Sequence, residues 1–324
     1  MDRRVFIAVT VASIAAPLAV DAQRVPEIGV LILGTKRLSL SAEQGMDELR
    51  EALRGFGWID GQSIRMTTQF ADLKEERLAF LAQEFVHRRV DVIVAKGTPP
   101  TDAARRATTS IPIVMSGASD PIAAGFTRNL ARPDGNVTGT SLVLTETAGK
   151  RLQLLKEVKP RLTRTAVLHV GGPGRSQLDE VRAAARQLGV ELRDFVYRDL
   201  DALETQFGEI RAARAESLIV IAAHTIDEVR APLAQLAVRN RLPTAFTFRE
   251  YVEAGGLMSY GPNLASVHRR AAYYIDRLLR GAKPGDLPIE QASTFELVIN
   301  MKTAKALGLT IPQTILLQAN QVIR

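Results

Sequence analysis

Short unbroken apolar runs alternate along this chain with amphipathic stretches of helical spacing, and that alternation leaves few folds open. Residues 28–33 form one such run, the pattern of a strand buried on both faces. Met46, Leu49, Leu53 and Phe56 then recur at helical spacing over 42–55, with Ser41 as candidate N-cap and Gly55 and Gly57 as a stop. The chain continues as strand 64–70, helix 75–88 (Leu78, Leu81, Phe85), strand 90–95, helix 101–107 and strand 111–115. Strands separated by helices predict a parallel sheet wrapped by helices.

The same alternation restarts after a helix at 146–158, with strands at 165–170, 191–197, 218–222 and 243–246 and helices at 177–188, 202–214 and 226–240. This is a second α/β unit. Arg132-Pro133-Asp134-Gly135-Asn136 makes a turn, and 137–142 reads as a β-rich crossing segment, the first hinge. Beyond 246 the chain supplies a strand at 257–260, a long helix at 264–280 and an apolar segment at 295–299, too little for a third domain. The economical arrangement returns the chain to the first lobe and crosses again. The fold class expected is α/β, two Rossmann-like lobes with parallel sheets joined by a multiply crossed hinge. One lobe takes 26–140 plus about 249–292; the other takes 141–248 plus about 300–324 with the hinge returns.

The N-terminus carries a separate instruction. Arg3 and Arg4 precede an apolar run from 5 to 20, and Val20-Asp21-Ala22 before Gln23 offers small residues at the positions a signal peptidase reads, so 1–22 is a signal peptide. Arg3-Arg4-Val5-Phe6-Ile7 also resembles a twin-arginine signal, which leaves the export route, Sec or twin-arginine, open. The chain has no cysteine, hence no disulfide and no thiol for lipid attachment. An exported protein without disulfides must rely on its core, and 324 residues at 46% hydrophobic content suffice for two lobes. The net charge of +7 is scattered among helices beside Asp and Glu, with no basic stripe, so nucleic acid is not an expected partner.

Five segments, in order, resemble the ABC-transporter substrate-binding proteins of the type I periplasmic-binding fold. They are Gly117-Ala118-Ser119-Asp120-Pro121, the run 129–139, Gly149-Lys150-Arg151-Leu152 through Lys156, the run 251–261, and Phe295 to Asn300 continuing through Lys302 to Gly308. The resemblance covers nearly the whole chain. It implies a small solute held between the lobes, hinge closure around it, delivery to an ABC permease in the inner membrane, and a periplasmic location; it does not imply which solute.

In open parallel sheets ligands bind beyond the carboxyl ends of strands, where loops lead into helix N-termini. The loops so placed are 34–36, 97–101 and 117–121 in the first lobe and 171–176 and 223–227 in the second, all rich in Gly and hydroxyl residues. Expected ligand contacts are Thr35, Gly97, Thr98, Ser119, Gly172, Ser176, His224 and Thr225, with Asp120 for an ammonium group, Arg249 for an anion, and Phe248 or Tyr260 to stack on a flat solute. Each has a plainer reading: Ser, Thr, Asp and Gly are ordinary cap and turn residues, Asp120-Pro121 fits an N-cap with Pro at N1, Arg249 has Glu250 and Glu253 nearby, and aromatic residues at a crossing pack the hinge. The lining suits an amino acid or related small carboxylate.

The principal rival is a two-lobed α/β enzyme, since fold alone does not decide function. Gly171-Gly172-Pro173-Gly174 lacks the glycine spacing of a dinucleotide fingerprint, and no Walker A, Gly-x-Ser-x-Gly or His-Glu-x-x-His sequence occurs. His87, His169, His224 and His268 stand apart with no metal-ligand spacing, so neither metal nor cofactor is expected. A ligand sensor docking on a membrane receptor is the other alternative. Export predicts a mature protein beginning at Gln23, which N-terminal sequencing of the secreted form checks.

Overall fold

The computed structural model describes residues 24–35, 40–171 and 175–324, and for 40–44 the backbone alone. The segment 1–22 expected to be a signal peptide, Gly172 and the side chain of Ser41 therefore lie outside the described residues.

The first lobe is built on β1 (Glu27–Ile32), whose two faces are both covered. Ile28, Val30 and Ile32 pack on one side with residues of α1 (Leu40–Gly55) and α10 (Leu264–Leu279). Leu31, on the other side, joins Leu78, Leu81, Ala82 and Phe85 of α2 (Glu75–Arg88). A two-sided core of this kind is why the strand reads as a continuous apolar run rather than an alternating one. Flanking β1 are β2 (Arg65–Phe70) and β3 (Val92–Lys96), followed by α3 (Thr98–Ala107), β4 (Ile113–Ala118) and β5 (Val137–Ser141). With β11 (Glu290–Gln291) they form a parallel sheet in the order β11-β5-β4-β3-β1-β2.

The second lobe follows α4 (Leu144–Val158) with β6 (Arg164–His169), α5 (Arg175–Leu188), β7 (Glu191–Val196), α6 (Leu203–Ala212), β8 (Ser217–Val220), α7 (His224–Asp227), α8 (Arg230–Arg239), β9 (Thr244–Phe246), α9 (Arg249–Glu253) and β10 (Met258–Pro262). After the return through α10 and β11, β12 (Phe295–Asn300), α11 (Met301–Ala306), α12 (Gln313–Gln318) and β13 (Gln321–Ile323) complete it. Its sheet runs β13-β12-β10-β9-β8-β6-β7 and is parallel except where β12 meets β10. Val167 and Ile219 face α4 and α5, whereas Ala166, Leu168, Leu218 and Val220 face α6 and α8.

Two sequence expectations change. The segment 137–142 is a paired strand of the first sheet nearly to its end, and the crossing is the short step Leu142-Val143, with Val143 in the left-handed region at φ 53°. Residues 249–262, assigned by sequence to the first lobe, supply α9 and β10 to the second; only α10 and β11 return. The reason is that β10 pairs with β9 in parallel and β12 in antiparallel fashion, a nonlocal choice that its apolar pattern does not encode.

The chain thus crosses between lobes at Leu142-Val143, at Asn263 and over 292–294. Ala292 N–H donates to the Ser141 carbonyl at 2.7 Å, and Asn263 N–H to the Thr294 carbonyl at 3.0 Å, so the crossings are bonded to one another. Asn263 also caps α10 through Ser266 N–H and donates to Glu296 at 3.1 Å. Beside this strip the fully buried Arg151 of α4 donates to the Tyr260 carbonyl at 3.3 Å and to Gln177 at 3.4 Å.

Gly139, in the middle of β5, has φ 126°, and a Cβ there would lie 2.1 Å from the Met115 carbonyl oxygen. Glycine is required for both reasons. Gly139→Ala is expected to destabilise the protein by about 3 kcal/mol or more, measured by urea denaturation.

Candidate interlobe binding site

The carboxyl ends of β1, β3 and β4 face those of β6, β8 and β9 across the gap between lobes, and loops from the two sides meet. Thr35 N–H, just after β1, donates to Glu228 Oε1 at 3.3 Å, and its hydroxyl lies 3.5 Å from Oε2. Glu228 stands directly after α7 of the opposite lobe. Nearby, a Cβ on Gly97 would lie 2.5 Å from His224 Nε2, so the first residue of α7 rests on the backbone that opens α3. Gly97 holds φ 89° there, a conformation costly for any residue with a side chain.

Thr35, Gly97 and His224 therefore come together across the cleft. Thr98 and Ser119 adjoin them on the first-lobe side, where Ser119 N–H donates to the Thr98 hydroxyl at 3.1 Å and Ser141 bonds the Ser119 carbonyl at 3.2 Å. Thr225 is the second residue of α7, and Phe248 is buried in the second-lobe core as the N-cap of α9. The plainer reading accounts for the others. Asp120 accepts from Ile122 and Ala123 N–H at 3.0 Å each, as a turn cap does. Ser176 bonds Thr145 at 3.1 Å, joining α5 to α4. Arg249 is held by Glu253, Glu296 and Gln321. Tyr260 stacks on Phe295, ring centroids 6.4 Å apart, as hinge packing.

The tertiary structure adds charged groups that sequence reasoning missed. Lys96 ends β3, and a Cβ on Gly45 of α1 would sit 2.8 Å from its Nζ and 2.6 Å from His268 Nε2. Burial pulls the Lys96 ammonium down to about 8, against Glu48 of α1 and Glu250 of α9, which favour its charge. Burial raises Glu250 to about 7 and also lifts Glu48. It lowers His224 to about 4, assisted by Lys96, and holds His268 well below the usual imidazole value, so both rings are neutral near pH 7. His268 Nδ1 is 3.0 Å from the Ser116 hydroxyl. The available signals were a lysine closing an otherwise apolar strand, and Glu48 one turn after Gly45 on α1.

Asp227 completes this side. Its Oδ1 accepts from Tyr251 Oη at 2.6 Å, and Tyr251 stacks on Phe246 at 4.6 Å. Among the described residues no group of three or more His, Cys, Asp or Glu is disposed to hold a metal, and no helix is long and apolar enough to cross a membrane.

The family described as ABC transporter substrate binding protein matches residues 39–323. The tyrosine-binding protein of Clostridioides difficile (strain R20291) is 27% identical over 261 residues, which cover 80% of this chain and 75% of that protein. An ABC domain from Streptococcus pneumonia in complex with L-Trp superimposes with TM-score 0.83 at 25% identity, covering 92% of this chain and 99% of that one. The ligand-free, open structure of a substrate binding protein with adhesive properties from Clostridium difficile gives TM-score 0.67 at 24% identity, covering 92% and 99%.

Burial holds Asp227 at about 7, opposed by the Tyr251 hydrogen bond and Arg230 and assisted by Glu250 and Glu228. Between the unfolded carboxyl value near 4 and about 7, the folded protein keeps a proton that the unfolded chain releases. Its stabilising contribution is therefore present in acid and lost as pH rises through about 7. Compared with Asp227→Asn, the native protein is expected to lose about 3 kcal/mol of stability between pH 4.5 and 7.5, read from urea denaturation at both pH values.

Proposed function

Because the chain belongs to the ABC transporter substrate-binding protein family, we propose that it captures a free amino acid in the interlobe cleft and delivers it to an ABC permease. The observation that carries this reading is the meeting of the lobes at Thr35–Glu228 and Gly97–His224. These contacts lie far along the chain from the hinge crossings and join elements of opposite lobes, so they exist only when the cleft is closed. A solute that touches both lobes favours that state over the open one and shifts the population toward it. Capture by closure requires no covalent step.

The amino-acid assignment draws support from the tyrosine-binding relative and the tryptophan complex. It also fits a cleft that offers both signs of charge, Lys96 beside Glu48 and Glu250, since a zwitterion presents both signs at once. Export by the N-terminal signal places this activity in the periplasm, where an inner-membrane permease receives the closed form. The N-terminal run supports that location through its charged start, its apolar length and its small residues before Gln23.

Thermal unfolding with a panel of L-amino acids, sugars and nucleosides tests the solute class. A bound amino acid at a hundredfold excess over its Kd stabilises by about 2.7 kcal/mol, seen as a raised Tm; a rise with sugars or nucleosides alone overturns the reading. Glu228→Ala removes a bond made only on closure and is expected to weaken binding about tenfold. Small-angle scattering of that variant should show smaller compaction on adding ligand than the native protein.

A further inference from the structure

Two carboxylate oxygens in the cleft have no partner among the described residues: Oε2 of Glu48 and Oε2 of Glu250, both buried from solvent. They come from opposite lobes, Glu48 from α1 and Glu250 from α9. A buried acceptor left unsatisfied costs about 1–3 kcal/mol, more when charged. The neighbouring cations do not supply the missing donors. Lys96 and Arg269 make no ion pair within 4.0 Å among the described residues, although Glu48 lies in the field of both and Glu250 in that of Lys96, and Arg249 is engaged by Glu253, Glu296 and Gln321. His268 gives its Nδ1 side to Ser116, and His224 lies against Gly97.

We propose that Glu48 and Glu250 together hold the ammonium group of the solute, one carboxylate from each lobe, and that Lys96 turns to its carboxylate. An ammonium group carries three donors and no acceptor, so a single such group satisfies both orphan oxygens and still has one donor to spare. Lys96 lies in the field of both acids on a flexible four-carbon stem anchored at the end of β3, which lets its charge swing to a carboxylate without moving the sheet. The pair of acids is complete only when the lobes are together, so the ammonium group is itself a closing element. Specificity follows from the same arrangement. An amine without a carboxylate leaves Lys96 unanswered, and an acid without an amine leaves both orphan oxygens unsatisfied and adds a third carboxylate.

This assignment rests on the amino-acid reading and deepens it, and titration calorimetry separates the two. The probes are L-tyrosine, tyramine, which lacks the carboxylate, and 3-(4-hydroxyphenyl)propionate, which lacks the ammonium group; L-tryptophan, tryptamine and indole-3-propionate serve if tryptophan binds instead. The native protein is expected to prefer the amino acid over either analogue by about a hundredfold. Glu48→Gln and Glu250→Gln should each weaken the amino acid about thirtyfold while leaving the propionate unchanged or tighter. Lys96→Met should weaken the amino acid but not the amine. If the native protein binds no amino acid, the amino-acid reading fails. If it binds one but tolerates the propionate equally, or if the glutamine variants weaken amino acid and propionate alike or neither, the assignment of Glu48 and Glu250 is wrong. The two variants lie in different lobes, and the native protein's analogue series stands even if one fails to fold.

Discussion

Backbone bonds from Ala292 to Ser141 and from Asn263 to Thr294 tie the three crossings of the chain into one strip, and the geometry of the cleft follows from it. Each lobe carries its own pair of apolar clusters, one on either face of its sheet, so each is rigid by itself. Closure as proposed is rotation of one lobe against the other about the strip. Such motion leaves the crossings bonded while it makes or breaks the distant contacts of Thr35 with Glu228 and Gly97 with His224. Near the strip the side chains are spent on holding it: Arg249 and Asn263 both donate to Glu296, Tyr260 stacks on Phe295, and Arg151 donates to the Tyr260 carbonyl.

The cleft also holds charged groups out of water. Lys96, Glu48, Glu250 and Asp227 all have their titration displaced by burial in the direction that disfavours charge. An empty cleft therefore closes at a cost, because ionised groups lose hydration without gaining partners. A solute that brings complementary charge offsets that cost, which couples recognition to motion. A core of well-packed apolar residues offers no such dependence on the bound molecule, and the charged groups lie in the cleft, not in the clusters that stabilise the lobes.

Much of the architecture was legible in the chain. Continuous apolar strands and amphipathic helices marked both lobes, because a strand covered by helices on both faces must be apolar throughout. The segment 249–262 was misassigned because an apolar strand looks the same whichever sheet receives it; β10 is fixed in the second lobe by pairing with β9 and β12. Loop chemistry was legible only as a set. Asp120 and Ser176 carry the residue types of ligand contacts and of caps alike, and their hydrogen bonds in the fold are those of a cap and an interhelix tie. Lys96, Glu48 and Glu250 are inconspicuous in the sequence because each sits in an ordinary helix or strand with nothing local to set it apart.

The chain's order of elements, its five family segments and its lack of cysteine are properties of local pattern and composition, and they suffice to specify two helix-wrapped sheets joined by several crossings. Which acids would keep a buried oxygen without a partner, and which lysine would lie in the field of both, was decided only by the tertiary structure. Partnership and burial depend on atoms brought from distant parts of the chain, and no window of sequence contains Glu48, Lys96 and Glu250 together.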